Sequence, residues 1–289
     1  MEQALIGVIG GSGLYAMEGL TDVKEVKVAT PFGDPSDVIT VGTIEDRRVA
    51  FLPRHGRGHR IMPSELPNRA NIYALKTLGV QWIISVSACG SMHEDYAPRD
   101  IVIPDQTYDN TKGRINTFFG GGIVAHVGFA EPFCPRLSDI LYESVKAAGG
   151  KVHKGGTYLT IEGPQFSSKG ESQIYRRLDI DIIGMTCVPE ARLAREAEIC
   201  YATMAHVTDY DVWHESEEPV TVQMVISNLN ANIALAQKAL KLAFAQLPIP
   251  RADCPCPTAL KDAILTNPAM IPTKLKEDLK PLVGKYLMT

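Results

Sequence analysis

Apolar residues occur along this chain in short continuous runs, and the stretches between the runs have helical spacing. The runs lie at residues 4–9, 49–52, 82–87, 101–103, 158–161, 180–185 and 200–207. Because they are continuous and do not alternate with polar residues, they predict strands that are buried on both faces of a sheet. Helical periodicity predicts helices over residues 68–78, 137–148, 168–177, 189–199 and 222–246.

This alternation predicts a single α/β domain of three layers over residues 1–246. Its centre is expected to be a largely parallel, twisted mixed β-sheet with helices on both sides. Residues 247–257 are rich in proline and are typical of a connector. Two short helices, at 259–265 and 274–286, are predicted beyond it, so residues 247–289 are expected to form a C-terminal helical extension packed on the same domain.

Net charge and hydropathy bear on whether the chain binds nucleic acid or a membrane. The 289 residues carry a formal net charge of −4, which argues against a surface that binds nucleic acid. The N-terminus lacks the basic region of a signal peptide, and no apolar stretch approaches the ~20 residues that span a bilayer. We therefore expect a cytoplasmic protein without a membrane partner.

The six cysteines have no C-x-x-C spacing, which argues against a zinc site, and no metal is predicted. Cys254 and Cys256 flank one proline of the connector. A reduced pair is the favoured interpretation, because cytoplasmic thiols usually stay reduced.

A glycine-rich segment, residues 10–13 with Ser12 in it, directly follows the first predicted strand. Glycines let the backbone turn tightly and aim its N–H groups at an anion. Residues 11–16 also match the G-x-G-x-x-A pattern of dinucleotide-binding folds, but the helical pattern that should follow ends by Gly19. A dinucleotide-binding redox protein is therefore disfavoured, while a phosphate loop and a plain turn both stay open.

Residues 53–60, with the sequence PRHGRGHR, follow the predicted strand at 49–52. Carboxyl ends of strands in open α/β sheets are where ligands bind, and Arg54 and His55 offer donors suited to phosphate oxygens. A small anion is favoured over a solvated basic loop or a nucleic-acid patch. Ser87, in another strand that ends in small residues, could give a further hydroxyl to that anion.

Phe166 lies in a predicted turn, where it could stack on a flat base or simply fill the core. Asp209 and Asp211 close the predicted strand at 200–207, and on an extended segment two residues apart would point the same way. Such a pair could grip a base edge or carry acid/base chemistry. It could also begin a turn, whereas a metal site is disfavoured because no third ligand is clustered with it.

Eight segments occur in the order found in a known family: GVIGGSGLY, PRHGRGHRIMP, ANIYALK, SACGSM, AEPFCP, TIEGPQFSSKGES, GMTCVPEARLAREAEICYA and TDYDVW. Together they resemble the trimeric-type nucleoside phosphorylases, most closely the 5′-methylthioadenosine branch, over about residues 6–246. The resemblance implies the nucleoside phosphorylase fold and a homotrimer or dimer of trimers. It also implies inorganic phosphate as co-substrate and no organic cofactor.

The resemblance also implies roles for single residues. Phosphate is expected at Ser12, Arg54, His55, Ser87 and Thr186. The sugar is expected over Met185, and the purine against Phe166. Asp209 is expected to face the ring nitrogen that must be protonated, and Asp211 to accept from the exocyclic amine.

Three positions indicate the subtype. Phosphorylases for 6-oxopurines resemble this chain but carry Glu and Asn where Ser167 and Asp209 stand here. They also have a histidine for the 5′-hydroxyl where Val222 stands, and Val222 with Val225 suits a methylthio group. His126 resembles a residue that a neighbouring subunit donates to that pocket.

The expected reaction is phosphate-dependent cleavage of 5′-methylthioadenosine. Gly184, however, stands where methylthioadenosine enzymes usually have Asn. A broader enzyme acting on adenosine, methylthioinosine or inosine is therefore the alternative. A catalytically silent nucleoside sensor is the alternative from another class.

Overall fold

Eleven strands of the described residues join in one sheet. The structure is a computed structural model that describes residues 2–11, 13–14, 17–214, 221–251 and 254–287. The strands are β1 Ile6–Gly10, β2 Thr21–Val26, β3 Ile39–Ile44, β4 Arg47–Pro53, β5 Trp82–Ser91, β6 Ile101–Ile103, β7 Gln106–Asn110, β8 Val152–Lys154, β9 Thr157–Ile161, β10 Ile182–Gly184 and β11 Cys200–Asp209.

The sheet branches at β5, the long central strand. The main path runs β2-β3-β4-β1-β5-β10-β9-β7, and β11 pairs with β5 and β6, the latter continuing to β8. Strands β4, β1, β5 and β11 are parallel neighbours, whereas β10 runs antiparallel to β5. The carboxyl ends of the four parallel strands therefore meet at one edge of the sheet.

Eight α-helices are present in the described parts of the chain. They are α1 Asn68–Thr77, α2 Pro135–Ala148, α3 Lys169–Arg177, α4 Cys187–Glu196, α5 Val222–Ala231, α6 Ile233–Gln246, α7 Thr273–Asp278 and α8 Lys280–Leu287.

Alternate side chains of the central strands belong to two separate cores. On β5, Ile83 packs in the cluster that contains residues of α1, α4 and α8, whereas Trp82 and Ile84 pack in the cluster that contains residues of α2 and α6. Helices thus cover both faces of a mixed, largely parallel sheet. The predicted three-layer α/β fold is confirmed.

Some predicted elements differ from the structure. The helix predicted over 222–246 is divided at Asn232, whose side chain donates to the carbonyl of Arg99 at 2.9 Å. The helix predicted at 259–265 was wrong: Cys256–Thr258 form a single 3₁₀ turn, and Ile264 pairs with Ala125 instead. The helix predicted at 274–286 is two helices, α7 and α8, since the backbone turns at Leu279.

The C-terminal residues that the structure describes lie against α1 and the start of β11. Tyr73 on α1 donates to the carbonyl of Asp278 at 2.7 Å, and Lys285 is paired with the buried carboxylate of Glu198 at 2.5 Å. Leu279 and Val283 are fully buried in the core that α1 shares. The extension therefore packs on the core that the sheet shares with α1.

None of the helices that the structure describes is both long enough and apolar enough to cross a membrane.

Candidate active site

Among the predicted phosphate residues that the structure describes, Arg54 has the side chain with the most hydrogen bonds. It follows the last residue of β4 and is only 3% exposed. Its Nε lies 2.5 Å from Oε1 of Glu190, and Nη2 donates to Oε2 of Glu190 at 3.1 Å and to Ser85 Oγ at 2.7 Å. Nη1 donates to the carbonyl of Val86 at 2.9 Å. Of the five guanidinium hydrogens, one on Nη1 has no acceptor among the described residues.

Glu190 holds this guanidinium in place from the first turn of α4. The Glu190 carboxylate is 1% exposed and also accepts from the hydroxyl of Tyr201 at 3.0 Å. Burial by itself lowers the pKa of Arg54, but the charge of Glu190 outweighs it and raises that pKa, so the guanidinium stays charged. The residue that precedes α4 is Thr186, whose hydroxyl makes no capping bond. The Arg54–Glu190 pair therefore brings Thr186 toward the end of β4.

His55 is half-buried beside Arg54. Its Nδ1 lies 2.8 Å from the carbonyl of Ile61, and a carbonyl only accepts, so Nδ1 carries the hydrogen. Burial and the charge of Arg54 lower the pKa of His55 to about 4. At neutral pH the ring is therefore uncharged, and Nε2 presents a lone pair that would accept a hydrogen bond.

Ser87 lies on β5 next to the carbonyl that Arg54 contacts. Its Oγ is 3.3 Å from the hydroxyl of Tyr158, and the residue is 7% exposed. The backbone N–H of Arg54 donates to the carbonyl of Gly10 at 3.0 Å, which ties the glycine-rich segment to the same place. Ser12 itself lies outside the described residues. The structure thus brings Arg54, His55, Ser87 and Thr186 to one end of the sheet.

Asp209 is the last residue of β11 and is 6% exposed. Burial raises the pKa of its carboxyl, while bonds from Thr208 and from the backbone of Asp211 lower it less. The hydroxyl of Thr208 is 2.7 Å from Asp209 Oδ2 and 3.2 Å from the carbonyl of Cys89. Burial therefore outweighs the hydrogen bonds from Thr208 and Asp211 and favours the uncharged form of the Asp209 carboxyl group.

The expectation that Asp209 and Asp211 lie on one extended segment was wrong. Asp211 follows β11 in a turn with φ of 50°, and its N–H donates to Asp209 Oδ1 at 2.9 Å. The turn nevertheless keeps the pair together: a Cβ at Gly90 would meet Asp209 Oδ1 at 2.9 Å and Asp211 Cβ at 3.4 Å. Ser172 on α3 donates to Asp211 Oδ2 at 2.5 Å, and burial raises the pKa of Asp211.

The segment of Met185 is fixed by Arg114, which sequence patterns did not reveal. Arg114 Nη1 donates to the carbonyl of Met185 at 2.6 Å, and Nη2 donates to the carbonyl of Glu162 at 2.6 Å. Gly163, with φ of 66°, lies so close to Met185 that any Cβ would meet its sulfur. Arg114 thus holds the loop after β9 to the residues after β10, and Gly163 allows the two segments to approach closely.

The predicted base and 5′ residues are the more exposed part of the site. Phe166 is 42% exposed and Val222, in the first turn of α5, is 63% exposed. Val225 is half-buried one helical turn further along. Asn228 continues the same face and donates to the carbonyl of Thr208 at 2.7 Å. This bond anchors the face of α5 that carries both valines beside Asp209.

His126 is exposed, and its backbone N–H donates to the carbonyl of Ala263 at 2.9 Å. No contact that the structure describes joins its side chain to another predicted site residue. That position agrees with a residue offered to a neighbouring subunit, which stays a prediction.

The anion residues and the carboxyl pair are related through β5. Ser87 pairs with Ala205 of β11, and Gly90, beside the carboxyl pair, pairs with Asp209. At a strand rise of about 3.3 Å per residue, Ser87 and Gly90 are about 10 Å apart. A donor cluster and a buried carboxyl with a raised pKa at that separation would fit the two ends of the reacting part of a nucleoside.

Sequence reasoning missed four residues that position this site: Arg114, Ser172, Glu190 and Asn228. Their partners are distant in the chain, by 136 residues for Arg54 and Glu190 and by 39 for Ser172 and Asp211. Glu190 had one local signal, its place in the first turn of a helix, but an acidic residue there is favourable to the helix dipole whether or not it binds Arg54.

Known proteins resemble the chain over nearly its full length. An S-methyl-5′-thioadenosine phosphorylase of Chloroflexus aurantiacus is 58% identical over 287 residues, covering 99% of both chains. One of Geobacter sulfurreducens is 53% identical, covering 99% of this chain and 100% of the relative. A crystal structure of a methylthioadenosine phosphorylase from an antarctic soil metagenomic library has a TM-score of 0.94 at 50% identity, covering 98% of this chain and 99% of the other.

A more distant structure carries a ligand. It is a mutant adenosine/methylthioadenosine phosphorylase of Schistosoma mansoni in complex with methylthioadenosine, with a TM-score of 0.79 at 39% identity, covering 84% of this chain and 92% of the other. The family model of the phosphorylase superfamily matches residues 5–245, which include every candidate residue described above. From this match, and from relatives of more than half identity over the whole length, the chain is a member of the phosphorylase superfamily.

Proposed function

We propose that this chain cleaves the N-glycosidic bond of 5′-methylthioadenosine with inorganic phosphate, giving adenine and 5-methylthioribose 1-phosphate. One observation carries the proposal. A buried carboxyl with a raised pKa, Asp209, lies about 10 Å along β5 from a cluster of anion-type donors around Arg54. The high identity to S-methyl-5′-thioadenosine phosphorylases supports the same reaction.

The carboxyl pair would act on the base. Purine is a poor leaving group as an anion, so protonation of its five-membered ring lowers the barrier. Asp209 would donate that proton, and Thr208 and Gly90 would hold its carboxyl in place. Asp211, fixed by Ser172, would accept from the exocyclic amine.

The phosphate residues would act on the sugar. As the bond between C1′ and the base nitrogen breaks, the sugar takes on oxocarbenium character, as in glycoside cleavage generally. Phosphate held by Arg54, Ser87 and Thr186 would stabilise that cation and form the new bond to C1′. The neutral ring of His55 would accept the hydroxyl of monoprotonated phosphate at Nε2. The new phosphate ester then loses a proton, which restores Asp209.

The remaining parts of the proposal concern the setting of the reaction. Met185 would lie under the ribose, Phe166 against the purine, and Val222 and Val225 around the methylthio group. The exposure of Phe166 and Val222 supports a homotrimer or dimer of trimers in which a neighbour's copy of His126 completes the pocket. We place the enzyme in the cytoplasm, acting in purine and methionine salvage without an organic cofactor.

The direct test measures adenine released from methylthioadenosine, with and without phosphate, by chromatography. Release should be strictly phosphate-dependent, and the sugar product should be the 1-phosphate. Equal rates in phosphate-free buffer would show a hydrolase. Ligand-induced stabilisation without release would show a nucleoside sensor.

A broader purine nucleoside phosphorylase is the second candidate, favoured by the lack of a side chain at Gly184. Adenosine, methylthioinosine and inosine are compared in the same assay. A kcat/KM for inosine close to that for methylthioadenosine would favour this candidate, whereas a preference of at least about 10-fold, or about 1.4 kcal/mol, would favour the first.

A further inference from the structure

Four of the six cysteines converge at the edge of the sheet opposite the candidate active site. The sulfur atoms of Cys134, Cys200, Cys254 and Cys256 all lie within 4.8 Å of one another. Cys200 begins β11 and Asp209 ends it, so at about 3.3 Å per residue the cluster is about 30 Å from the carboxyl pair. The mechanism proposed above uses none of these thiols.

From this cluster we infer a structural zinc site in which the four cysteines are the ligands. Tetrahedral zinc with Zn–S bonds of about 2.3 Å places its sulfurs about 3.8 Å apart, and Cys200 Sγ lies 3.3 Å from Cys254 Sγ. Cys134, Cys200 and Cys256 are at most 2% exposed, and Cys254 is half-buried. Four protein ligands leave no open position, which is typical of a structural site. Thiolate ligands in this geometry select zinc over magnesium or calcium.

The surroundings of the cluster offset the charge of such a site. Zinc with four thiolates carries a net charge of −2. Arg195 Nη1 lies 3.6 Å from Cys256 Sγ, and Arg251 Nη1 lies 3.7 Å from Cys200 Sγ. Both guanidinium groups also donate to backbone carbonyls, which fixes their orientation. They supply the outer-shell donors that orient and tune metal ligands.

The position of Cys134 also suits a thiolate ligand. Cys134 is the N-cap residue of the 14-residue helix α2, where the helix dipole favours negative charge.

The zinc would join three segments that are far apart in the sequence. It would tie the connector, through Cys254 and Cys256, to the start of α2 and the start of β11. The sequence predicts no metal because the cysteines lack C-x-x-C spacing. The proposed site would instead be assembled by the fold, from residues up to 122 positions apart, Cys134 to Cys256.

The test measures the metal content of the full-length protein, purified without chelator from cells grown with zinc. Mass spectrometry of the metals should give about one zinc per chain. A mercurial titration should release it after about four thiols have reacted. Cobalt in place of zinc should give the thiolate-to-metal absorption of a tetrahedral sulfur site.

Two variants and a matched control locate the ligands. Cys254→Ser and Cys256→Ser should each lose most of the zinc, whereas Cys187→Ser, a buried cysteine outside the cluster, should keep it. Chelation should lower the Tm of the parent, and added zinc should restore it. Should a ligand variant fail to fold, the zinc content of the parent still decides.

Three results would overturn the proposal. An intact mass lower by about 4 Da without metal would show two disulfides instead. Four alkylatable thiols without metal would show that the cluster is a reduced core, and iron at the expected stoichiometry would show that zinc is the wrong metal.

Discussion

The hydroxyl of Tyr158 occupies the space into which a side chain at Gly184 would project. A Cβ built on Gly184 would lie closer to that oxygen than real Cβ atoms come to any neighbour, and Tyr158 Cζ and Cε2 would be within 2.9 Å. Tyr158 is fully buried and its hydroxyl is 3.3 Å from Ser87 Oγ. Position 184, where related enzymes carry Asn, therefore has to be glycine to leave room for Tyr158 beside Ser87.

Gly184→Asn should accordingly destabilise the fold by about 1–3 kcal/mol, the usual cost of overpacking. It should also raise the phosphate KM, because Tyr158 must move away from Ser87. Urea unfolding and initial rates measure the two effects. Gly128→Asn is the matched control, since nothing lies within 4 Å of a Cβ there. Parent-like stability of Gly184→Asn would show that Tyr158 moves at no cost.

Arg54→Ala should remove phosphate affinity and also leave the Glu190 carboxylate buried without its partner. Breaking a buried pair in this way costs about 3–5 kcal/mol. The double variant Arg54→Met, Glu190→Met replaces both charges and should recover most of that stability. Phosphate binding should stay lost in it, which separates the two roles of Arg54. Calorimetric titration with phosphate and urea unfolding are the measurements. Recovered phosphate affinity in the double variant would make Arg54 a purely structural residue.

Asp209→Asn keeps the size of the side chain but removes the transferable proton. Adenine release should fall by at least about 10²-fold, the usual contribution of a general acid. Activity on inosine should persist or rise, because a 6-oxopurine accepts an amide donor. Asp100→Asn changes another buried aspartate, outside the site, and should keep the parent rate.

The pH profile gives a second measurement on the same residue. Since burial raises the pKa of Asp209, the acid form persists above the ordinary range of an aspartate. The kcat/KM of the parent should fall as pH rises through that pKa, and Asp209→Asn should lack this limb. A profile that is unchanged by the substitution would assign the limb to another group.

His206→Leu should change how stability depends on pH. His206 is buried on β11, neither ring nitrogen has a partner among the described residues, and burial lowers its pKa to about 4. The unfolded chain binds a proton near pH 6.5 and the native chain only near pH 4, so native stability is lost as pH falls through this window.

The leucine variant lacks that loss. As the pH falls from 7 to 4, the free energy of unfolding of the variant should rise relative to that of the parent by up to about 3 kcal/mol. Ile101→Val, a non-titrating change at the residue paired with His206, should shift stability equally at every pH. A difference for His206→Leu that stays constant with pH would show that the ring titrates alike in the native and the unfolded chain.

The sequence by itself determined the fold class and one half of the site. Continuous apolar runs such as 82–87 are a local signal of strands buried on both faces, and the structure has β5 there. The rule that ligands bind at the carboxyl ends of such strands indicates Arg54, His55 and Ser87 from the sequence alone. Ordered motifs then indicated the family.

Only the tertiary structure decided what holds these residues. Four contacts join elements that are far apart in sequence. They are the Arg54–Glu190 pair, the bond from Ser172 to Asp211, the bonds of Arg114 to two loops, and the four-cysteine cluster. Such contacts leave no periodicity in the chain, because the spacing between partners is set by how helices and strands pack. The turn that places Asp211 beside Asp209 has a left-handed backbone at Asp211. The side chain of Asp211 is positioned by Ser172 on another element, so the sequence around residue 211 does not predict its place.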